Sequence, residues 1–161
     1  MPFEIERKYL IEYPDLARLA AMPHCHRVDI IQTYLLSPSG DEVRVRQRGE
    51  NGSYTYYQTT KRRVSDVRRV EVERRLTQRE YLTLLMEADP SLHPIRKSRY
   101  CLMWENQYFE IDVYPFWDDK AIVEIELSDE NAEVRFPPEL KVLREVTADE
   151  AYKNYALARR Q

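Results

Sequence analysis

Glycine is scarce in this chain, and its placement excludes two common phosphate-binding motifs. Only three of the 161 residues are glycine, and all three lie between residues 40 and 52. The P-loop and the dinucleotide-binding fingerprint both need several glycines at fixed spacing, followed by a helix whose N-terminus receives the phosphate. Glycines confined to one short segment that reads as a hairpin cannot supply either motif.

Cysteines and long apolar segments are also few. The two cysteines, Cys25 and Cys101, do not indicate a disulfide framework. No stretch is long and apolar enough to cross a membrane, and the first residues are charged where a signal peptide would be apolar. We therefore expect a protein of the reducing cytoplasm that does not act at a membrane.

The chain has no large excess of charge of one sign. It contains 25 lysines and arginines against 28 aspartates and glutamates, a net charge of -3. This near balance argues against a nucleic-acid partner bound through bulk positive charge. Charged residues nevertheless make up 33% of the chain, above the usual ~25%. At this length we expect one domain over residues 1–161, and its charge distribution becomes the informative property.

Alternating charged and apolar residues predict a barrel of β-strands. In the first expected strand, Glu4, Glu6 and Lys8 share one face, because successive side chains of a strand point in opposite directions. Eight strands are expected, at residues 3–11, 28–36, 42–48, 53–61, 68–76, 95–104, 108–114 and 121–127. Turns connect most of them, so the sheet should be mainly antiparallel, and eight strands can close. We predict a mainly β (α+β) fold, an eight-stranded antiparallel closed β-barrel with a few flanking helices.

Capping patterns locate the main helices. Thr77 with Glu80, and Thr147 with Glu150, have the spacing of a capping box, in which each side chain bonds the backbone of the other residue. Three helices are expected, near residues 14–22, over residues 78–88, and from Thr147 to about Arg159.

Residues of like charge recur two apart along several expected strands. The acidic pairs are Glu4/Glu6, Glu71/Glu73, Glu110/Asp112 and Glu124/Glu126, and the basic sets are Arg44/Arg46/Arg48 and Lys97/Arg99. Any one set is consistent with an ordinary solvated sheet face. Because like charges on one face repel, repeated segregation of both signs favours a second interpretation. Paired carboxylates bind Mg²⁺ or Mn²⁺, and arginine and lysine bind phosphate, so the pattern suits a polyanion held together with a metal.

The same residues resemble a known family. Glu-Ile-Glu-Arg-Lys at residues 4–8 is similar to the ExExK signature of the CYTH superfamily, the triphosphate tunnel metalloenzymes. Further similar segments follow in the order found in that family: Gln32–Leu35, Val43–Arg46, Lys61, Glu71–Glu73, Lys97–Tyr100, Glu110–Val113, Glu124–Leu127, Glu145–Thr147 and Tyr152–Ala158. The resemblance therefore covers the whole chain. It implies a charged tunnel inside a closed barrel and chemistry at a triphosphate with Mg²⁺ or Mn²⁺.

The resemblance also implies roles for individual residues. The residues implied to bind the triphosphate are Lys8, Arg44, Arg46, Lys61, Lys97 and Arg99. Those implied to bind the metal are Glu4, Glu6, Glu124 and Glu126. A second ion would be bound by Asp112 or by Glu71 and Glu73. Glu6 and Lys8 are the expected catalytic residues, Lys8 either binding phosphate or orienting the attacking water.

The expected function is metal-dependent hydrolysis of a small-molecule triphosphate, and inorganic tripolyphosphate is the first candidate substrate. Three alternatives stay open: a class IV-type adenylyl cyclase, a thiamine triphosphatase, and a non-catalytic polyphosphate- or nucleotide-binding protein. Aromatic residues such as Tyr54, Tyr56 and Trp117 are able to stack on an organic ring, which would favour the organic substrates. The sequence allows for a homodimer without indicating one.

Overall fold

Nine β-strands form the framework of the part of the chain that the structure describes. The computed structural model describes residues 3–65 and 67–159, and side chains from residue 5 onward within those ranges. The strands are β1 (Phe3–Glu12), β2 (Cys25–Tyr34), β3 (Glu42–Glu50), β4 (Ser53–Arg63), β5 (Arg68–Leu76), β6 (Ile95–Trp104), β7 (Gln107–Val113), β8 (Lys120–Glu126) and β9 (Val142–Glu145). The helices are α1 (Leu16–Ala20), α2 (Gln78–Leu84) and α3 (Asn154–Leu157), with single 3₁₀ turns at Leu85–Glu87 and Glu150–Tyr152. None of these helices is long and apolar enough to cross a membrane.

The first eight strands close into an antiparallel barrel. Their order is β5-β4-β3-β2-β6-β7-β8-β1, and the ring closes where β1 pairs with β5, with Ile5 opposite Arg68. Closure satisfies the backbone groups that an open sheet would leave unpaired at its edges. The predicted eight-stranded closed barrel is confirmed. The short strand β9, which pairs with β1 only, was not predicted.

Two tight turns fix the register of neighbouring strands. Asn51 (φ 53°) and Gly52 (φ 79°) join β3 to β4, and Glu105 (φ 47°) and Asn106 (φ 60°) join β6 to β7. Two central residues with positive φ form the turn that matches the natural twist of a hairpin. The hairpin expected in the segment that carries the glycines is therefore confirmed.

Helices cover the apolar outside of the barrel wall. Leu19 of α1 packs into a buried cluster with Tyr9 and Phe109, and Tyr81 of α2 packs against Val45 and Leu76. The predicted capping box of α2 is present, since Thr77 and Glu80 bond each other's backbone N–H at 2.9 and 3.1 Å. With the apolar faces turned outward under helices, the alternate, charged residues face the interior.

The capping box predicted at Thr147 is wrong. The Thr147 hydroxyl instead accepts a hydrogen bond from the backbone N–H of Lys8 (3.0 Å) and donates one to Glu145 (2.6 Å). Asp149 caps a 3₁₀ turn in its place, and Lys153 is extended (φ −75°, ψ 145°), so the last α-helix is one turn long. The threonine side chain ties the C-terminal segment to β1 and is not available to start a helix.

That C-terminal segment fills one end of the barrel. Leu157 and Ala158 pack with Leu10, Tyr34 and Ile122, which extend the inward-facing rows of their strands. Apolar side chains thus close this end, and the polar interior lies beyond them.

Truncating Leu157 should therefore destabilise the protein. Leu157 is 0% exposed, and removing a fully buried leucine side chain costs about 2–5 kcal/mol. The matched control is Leu143→Ala, because Leu143 on β9 is 51% exposed. Chemical unfolding should show a large loss of unfolding free energy for Leu157→Ala and little change for the control. Equal losses would contradict the assignment of the closed end.

Candidate active site

The barrel encloses a charged cavity of about 560 Å³. Among the residues that line it are Glu6, Arg44, Arg46, Lys61, Glu71, Glu73, Arg99, Glu124 and Glu126. A narrow neck of about 40 Å³ shares several of these residues and adds Lys8, Arg69 and Lys153. The structure therefore brings most of the sequence-predicted site residues into one interior space.

Two buried arginines concentrate positive charge on β3. Arg44 and Arg46 are 7% and 8% exposed. Burial, together with the neighbouring charges of Arg44 and Arg99, lowers the pKa of Arg46 to about 10. Since these cations are held close together against their mutual repulsion, an anion placed among them would be strongly favoured.

Glu73 partly neutralises this cluster. Its carboxylate accepts hydrogen bonds from Arg46 Nη2 at 3.1 Å and from the Thr59 hydroxyl at 3.2 Å. For Arg44, burial alone would lower the pKa, but charges on neighbouring groups, Glu71 among them, raise it above its usual range. The predicted second-ion ligands Glu71 and Glu73 thus lie next to arginines.

A buried triad links β6 to β7. Asp112 binds Lys97 Nζ at 2.7 Å and Arg99 Nε at 2.8 Å. Burial lowers the pKa of Lys97 to about 8, with the Asp112 charge acting in the opposite direction. Burial by itself would raise the pKa of Asp112, but Arg99 and Lys97 outweigh it and hold that pKa well below its usual range. Arg99 lines the cavity, whereas Lys97 and Asp112 do not.

Carboxylates face one another on β1, β8 and β7. Glu6 lies directly opposite Glu126, and Glu110 opposite Glu124. Like charges in directly opposed positions destabilise a sheet. Glu124 has a cationic neighbour, Lys8 Nζ, at 3.5 Å, but the structure gives the Glu6 side chain no hydrogen bond or ion pair within residues 5–65 and 67–159. Among the described residues, Glu6 therefore carries a negative charge on this side of the cavity for which no nearby cation is found.

Lys8 lies where the barrel meets the C-terminal segment. Besides its contact with Glu124, its ammonium donates a hydrogen bond to the backbone carbonyl of Tyr152 at 3.3 Å. The backbone of Glu4 pairs with Arg69 in the barrel wall, while its side chain lies outside the described ones.

Comparison with known proteins gives the family. A sequence model of the CYTH domain matches residues 2–143. The chain belongs to the CYTH family. It is 34% identical, over 160 residues and 96% of both chains, to a protein of Nitrosomonas europaea named inorganic triphosphatase.

Solved structures agree with this CYTH assignment. The crystal structure of the inorganic triphosphatase NE1496 is 31% identical, with a TM-score of 0.58 over 99% of this chain and 96% of the other. The HpAC1 protein from Hippeastrum, named as an adenylyl cyclase with a dominant triphosphatase activity, is 18% identical, with a TM-score of 0.56 over 78% and 80%. At that identity the second likeness shows the fold alone.

The carboxylates of the CYTH barrel suit a hard divalent cation. Glu6, Glu124 and Glu126 offer only oxygen donors, which Mg²⁺ and Mn²⁺ prefer. Glu6 lies directly opposite Glu126, and a cation between their strands would relieve the repulsion between these two like charges. In the described ranges, no three Asp, Glu, His or Cys side chains already converge closely enough to hold an ion together. The donor set therefore fits the ion by its chemistry and its excess of negative charge.

Several lining residues of the CYTH chain escaped the sequence prediction of the site, Lys153 and Asn154 among them. Lys153 lines the neck, and Asn154 lines both the neck and the main cavity. Both belong to the C-terminal segment, so strand alternation carried no signal for them. The only available sign was that their neighbourhood, Tyr152–Ala158, resembles the family.

An interior rich in arginine should bind anions in the absence of any metal. Tripolyphosphate added in EDTA should raise the Tm, because a ligand that binds only the folded state stabilises it. Arg46→Met should abolish most of this rise, since Arg46 lies in the cation cluster. The control Arg74→Met removes an exposed arginine that bonds Gln58 on the outer surface. Differential scanning calorimetry measures both, and an equal loss in the two variants would contradict an interior anion site.

Proposed function

We propose that this CYTH protein is a metal-dependent triphosphatase whose substrate is inorganic tripolyphosphate. One observation carries the proposal: a cavity inside the closed barrel, in which buried, mutually repelling arginines lie across from mutually repelling carboxylates. The charges on both walls of such a cavity are neutralised when a polyanion and a cation are bound together. The named activity of the Nitrosomonas relative supports the same conclusion.

The cationic wall would bind the substrate. Arg44, Arg46, Lys61 and Arg99 line the cavity and would donate to the phosphate oxygens, arginine as a bidentate fork. Lys8 at the neck would bind phosphate or orient the attacking water. Because these groups are largely held in place by the barrel, they need little rearrangement as negative charge shifts during the reaction.

The acidic wall would hold the metal. Glu6, Glu124 and Glu126 are the proposed ligands, together with Glu4, and either Mg²⁺ or Mn²⁺ suits them. When bound, a divalent ion neutralises phosphate oxygens and makes the phosphorus more electrophilic. Glu71 is the remaining candidate for a second ion, since Glu73 bonds Arg46.

Hydrolysis would break one phosphoanhydride bond. The oxygen of a water molecule attacks a terminal phosphorus, the bridging P–O bond breaks, and the water's proton leaves, so that tripolyphosphate gives phosphate and pyrophosphate. The protein would contribute mainly by positioning the reactants and stabilising charge. Glu6 and Lys8 on β1 are the proposed catalytic residues.

The placement of Tyr54, Tyr56 and Trp117 favours an inorganic substrate. Tyr56 packs against Tyr81 on the outside, with ring centroids 4.8 Å apart, and Trp117 packs against Tyr114 at 5.3 Å. Neither of them, nor Tyr54, lines the interior cavity. The aromatic residues that would have stacked on adenine or thiamine thus lie elsewhere.

We also propose that residues 1–161 form one domain, since α3 packs into the closed end of the barrel. Location in the cytoplasm stays a prediction.

A substrate panel tests the proposed function. We expect rapid phosphate release from tripolyphosphate with Mg²⁺ or Mn²⁺, none with EDTA, and much slower release from ATP and thiamine triphosphate. Faster turnover of ATP or thiamine triphosphate would replace the proposed substrate. Cyclic AMP with pyrophosphate from ATP would establish a cyclase, and binding of tripolyphosphate without turnover would establish a sensor.

Replacing Glu6 tests the metal site. Glu6→Gln removes the charge of a carboxylate that has no cationic partner among the described residues, so metal-dependent phosphate release should fall by about two orders of magnitude or more with little change in Tm. The control Glu12→Gln alters an exposed glutamate at the far end of the same strand, opposite Lys120, and should keep activity. An active Glu6→Gln variant would refute the assignment.

A further inference from the structure

We propose that Asp112 is a positioning residue, which fixes Lys97 and Arg99 in the barrel wall and does not bind the metal ion. The proposal rests on the proposed function. It assigns Asp112, the second interior carboxylate of β7, to the support of the cations on the substrate-binding side. Nothing in the spacing of Glu110 and Asp112 along the strand distinguishes these two roles.

Both oxygens of the Asp112 carboxylate are already used. Oδ2 lies 2.7 Å from Lys97 Nζ and 3.0 Å from Arg99 Nη2, while Oδ1 lies 2.8 Å from Arg99 Nε. This is the two-pronged arginine–carboxylate geometry, the strongest arrangement open to such a pair. With the Asp112 side chain only 1% exposed, a metal ion would have to break these bonds and enter a closed part of the wall.

The two cations need this carboxylate in order to remain charged side by side. The Lys97 side chain is 0% exposed, and an isolated ammonium group in such a place would lose its proton. The charged groups that act on Lys97 are Asp112 on β7, Arg99 on its own strand and Glu124 on β8. Of these, the structure pairs only Asp112 directly with its ammonium.

The triad also sets the direction in which Arg99 points. Its Nε and Nη2 edge is held by Asp112, and its remaining nitrogen, Nη1, bonds Glu110 at 3.1 Å. Arg99 and Glu110 both line the cavity. Asp112 therefore holds one edge of the guanidinium in the wall while the other edge stays at the cavity, where a phosphate oxygen would meet it. Holding a donor in its working orientation lowers the cost of binding.

Asp112→Asn separates the two roles by measuring two ligands. Isothermal titration calorimetry with tripolyphosphate in EDTA should show a dissociation constant about tenfold or more above that of the unmodified protein. The dissociation constant for Mn²⁺ alone should stay within about twofold. In steady-state kinetics, KM should rise while the Mn²⁺ concentration for half-maximal activity stays unchanged. An Mn²⁺ constant raised about tenfold, with tripolyphosphate binding unaltered, would overturn the proposal.

Glu110→Gln is the matched control. Glu110 lies on the same strand and face and also bonds Arg99, but through one nitrogen only. Its substitution should weaken tripolyphosphate binding by less than about threefold. An effect as large as that of Asp112→Asn would show that any lost contact to Arg99 suffices, and would overturn the special role of Asp112.

A second pair of variants covers the case in which Asp112→Asn does not fold because it strands a buried lysine charge. The double variant Lys97→Met/Asp112→Asn is compared with Lys97→Met. If Asp112 acts through its cations, tripolyphosphate binds more weakly to the double variant than to Lys97→Met, because Arg99 has lost its carboxylate partner, and Mn²⁺ binding is equal in the two. Weaker Mn²⁺ binding in the double variant would overturn the proposal.

If the unmodified protein binds tripolyphosphate without hydrolysing it, the proposed function fails while the calorimetric test of Asp112 stands.

Discussion

The balance of charge inside a closed barrel is the constraint on which the rest of the structure depends. Arg44, Arg46, Lys97 and Arg99 are all less than 10% exposed, and a charge removed from water is tolerated only beside a counter-charge. Asp112 on β7 and Glu73 on β5 supply part of that counter-charge. The charges of like sign nevertheless remain grouped, as a cationic wall on β3 and an acidic wall on β1 and β8, and these two walls are where the structure has capacity for ligands.

Barrel closure keeps the cationic and acidic walls together inside the structure. The eight strands pair in a ring, and α1 and α2 pack on its outer apolar face, so the alternate, charged side chains face the tunnel. The C-terminal segment then fills one end with Leu157 and its neighbours. It also reaches the site itself, since the carbonyl of Tyr152 accepts a hydrogen bond from Lys8 and Asn154 lines the cavity. Stability of the closed end and geometry of the site are therefore properties of the same segment.

Much of this architecture could be predicted from the sequence, because a period of two is a local property. The alternation of Glu4, Glu6 and Lys8, or of Arg44, Arg46 and Arg48, determines which side chains share a face without any knowledge of neighbouring strands. The C-terminal segment was harder. Thr147 and Glu150 have the spacing of a capping box, yet the Thr147 hydroxyl bonds β1, a contact between residues 139 positions apart that no local pattern encodes. Lys153 and Asn154 reach the tunnel through the same long-range packing.

Cross-strand register is what divides the interior carboxylates into two kinds, and register is not readable from one strand. Asp112 lies opposite Arg99, and Glu71 opposite Lys61, so each of these carboxylates has a cation across the ladder. Glu6 lies opposite Glu126 and so faces its own sign, while Glu124 lies between Glu110 on one side and Lys8 on the other. Along the chain all of them look alike, as acids two residues apart. A shift of two residues between β6 and β7 would keep every side chain on its face, yet it would bring different charges into opposition. The chemistry of the tunnel thus depends on the tight turns that set the pairing, such as the one at Glu105 and Asn106, as much as on the charged residues themselves.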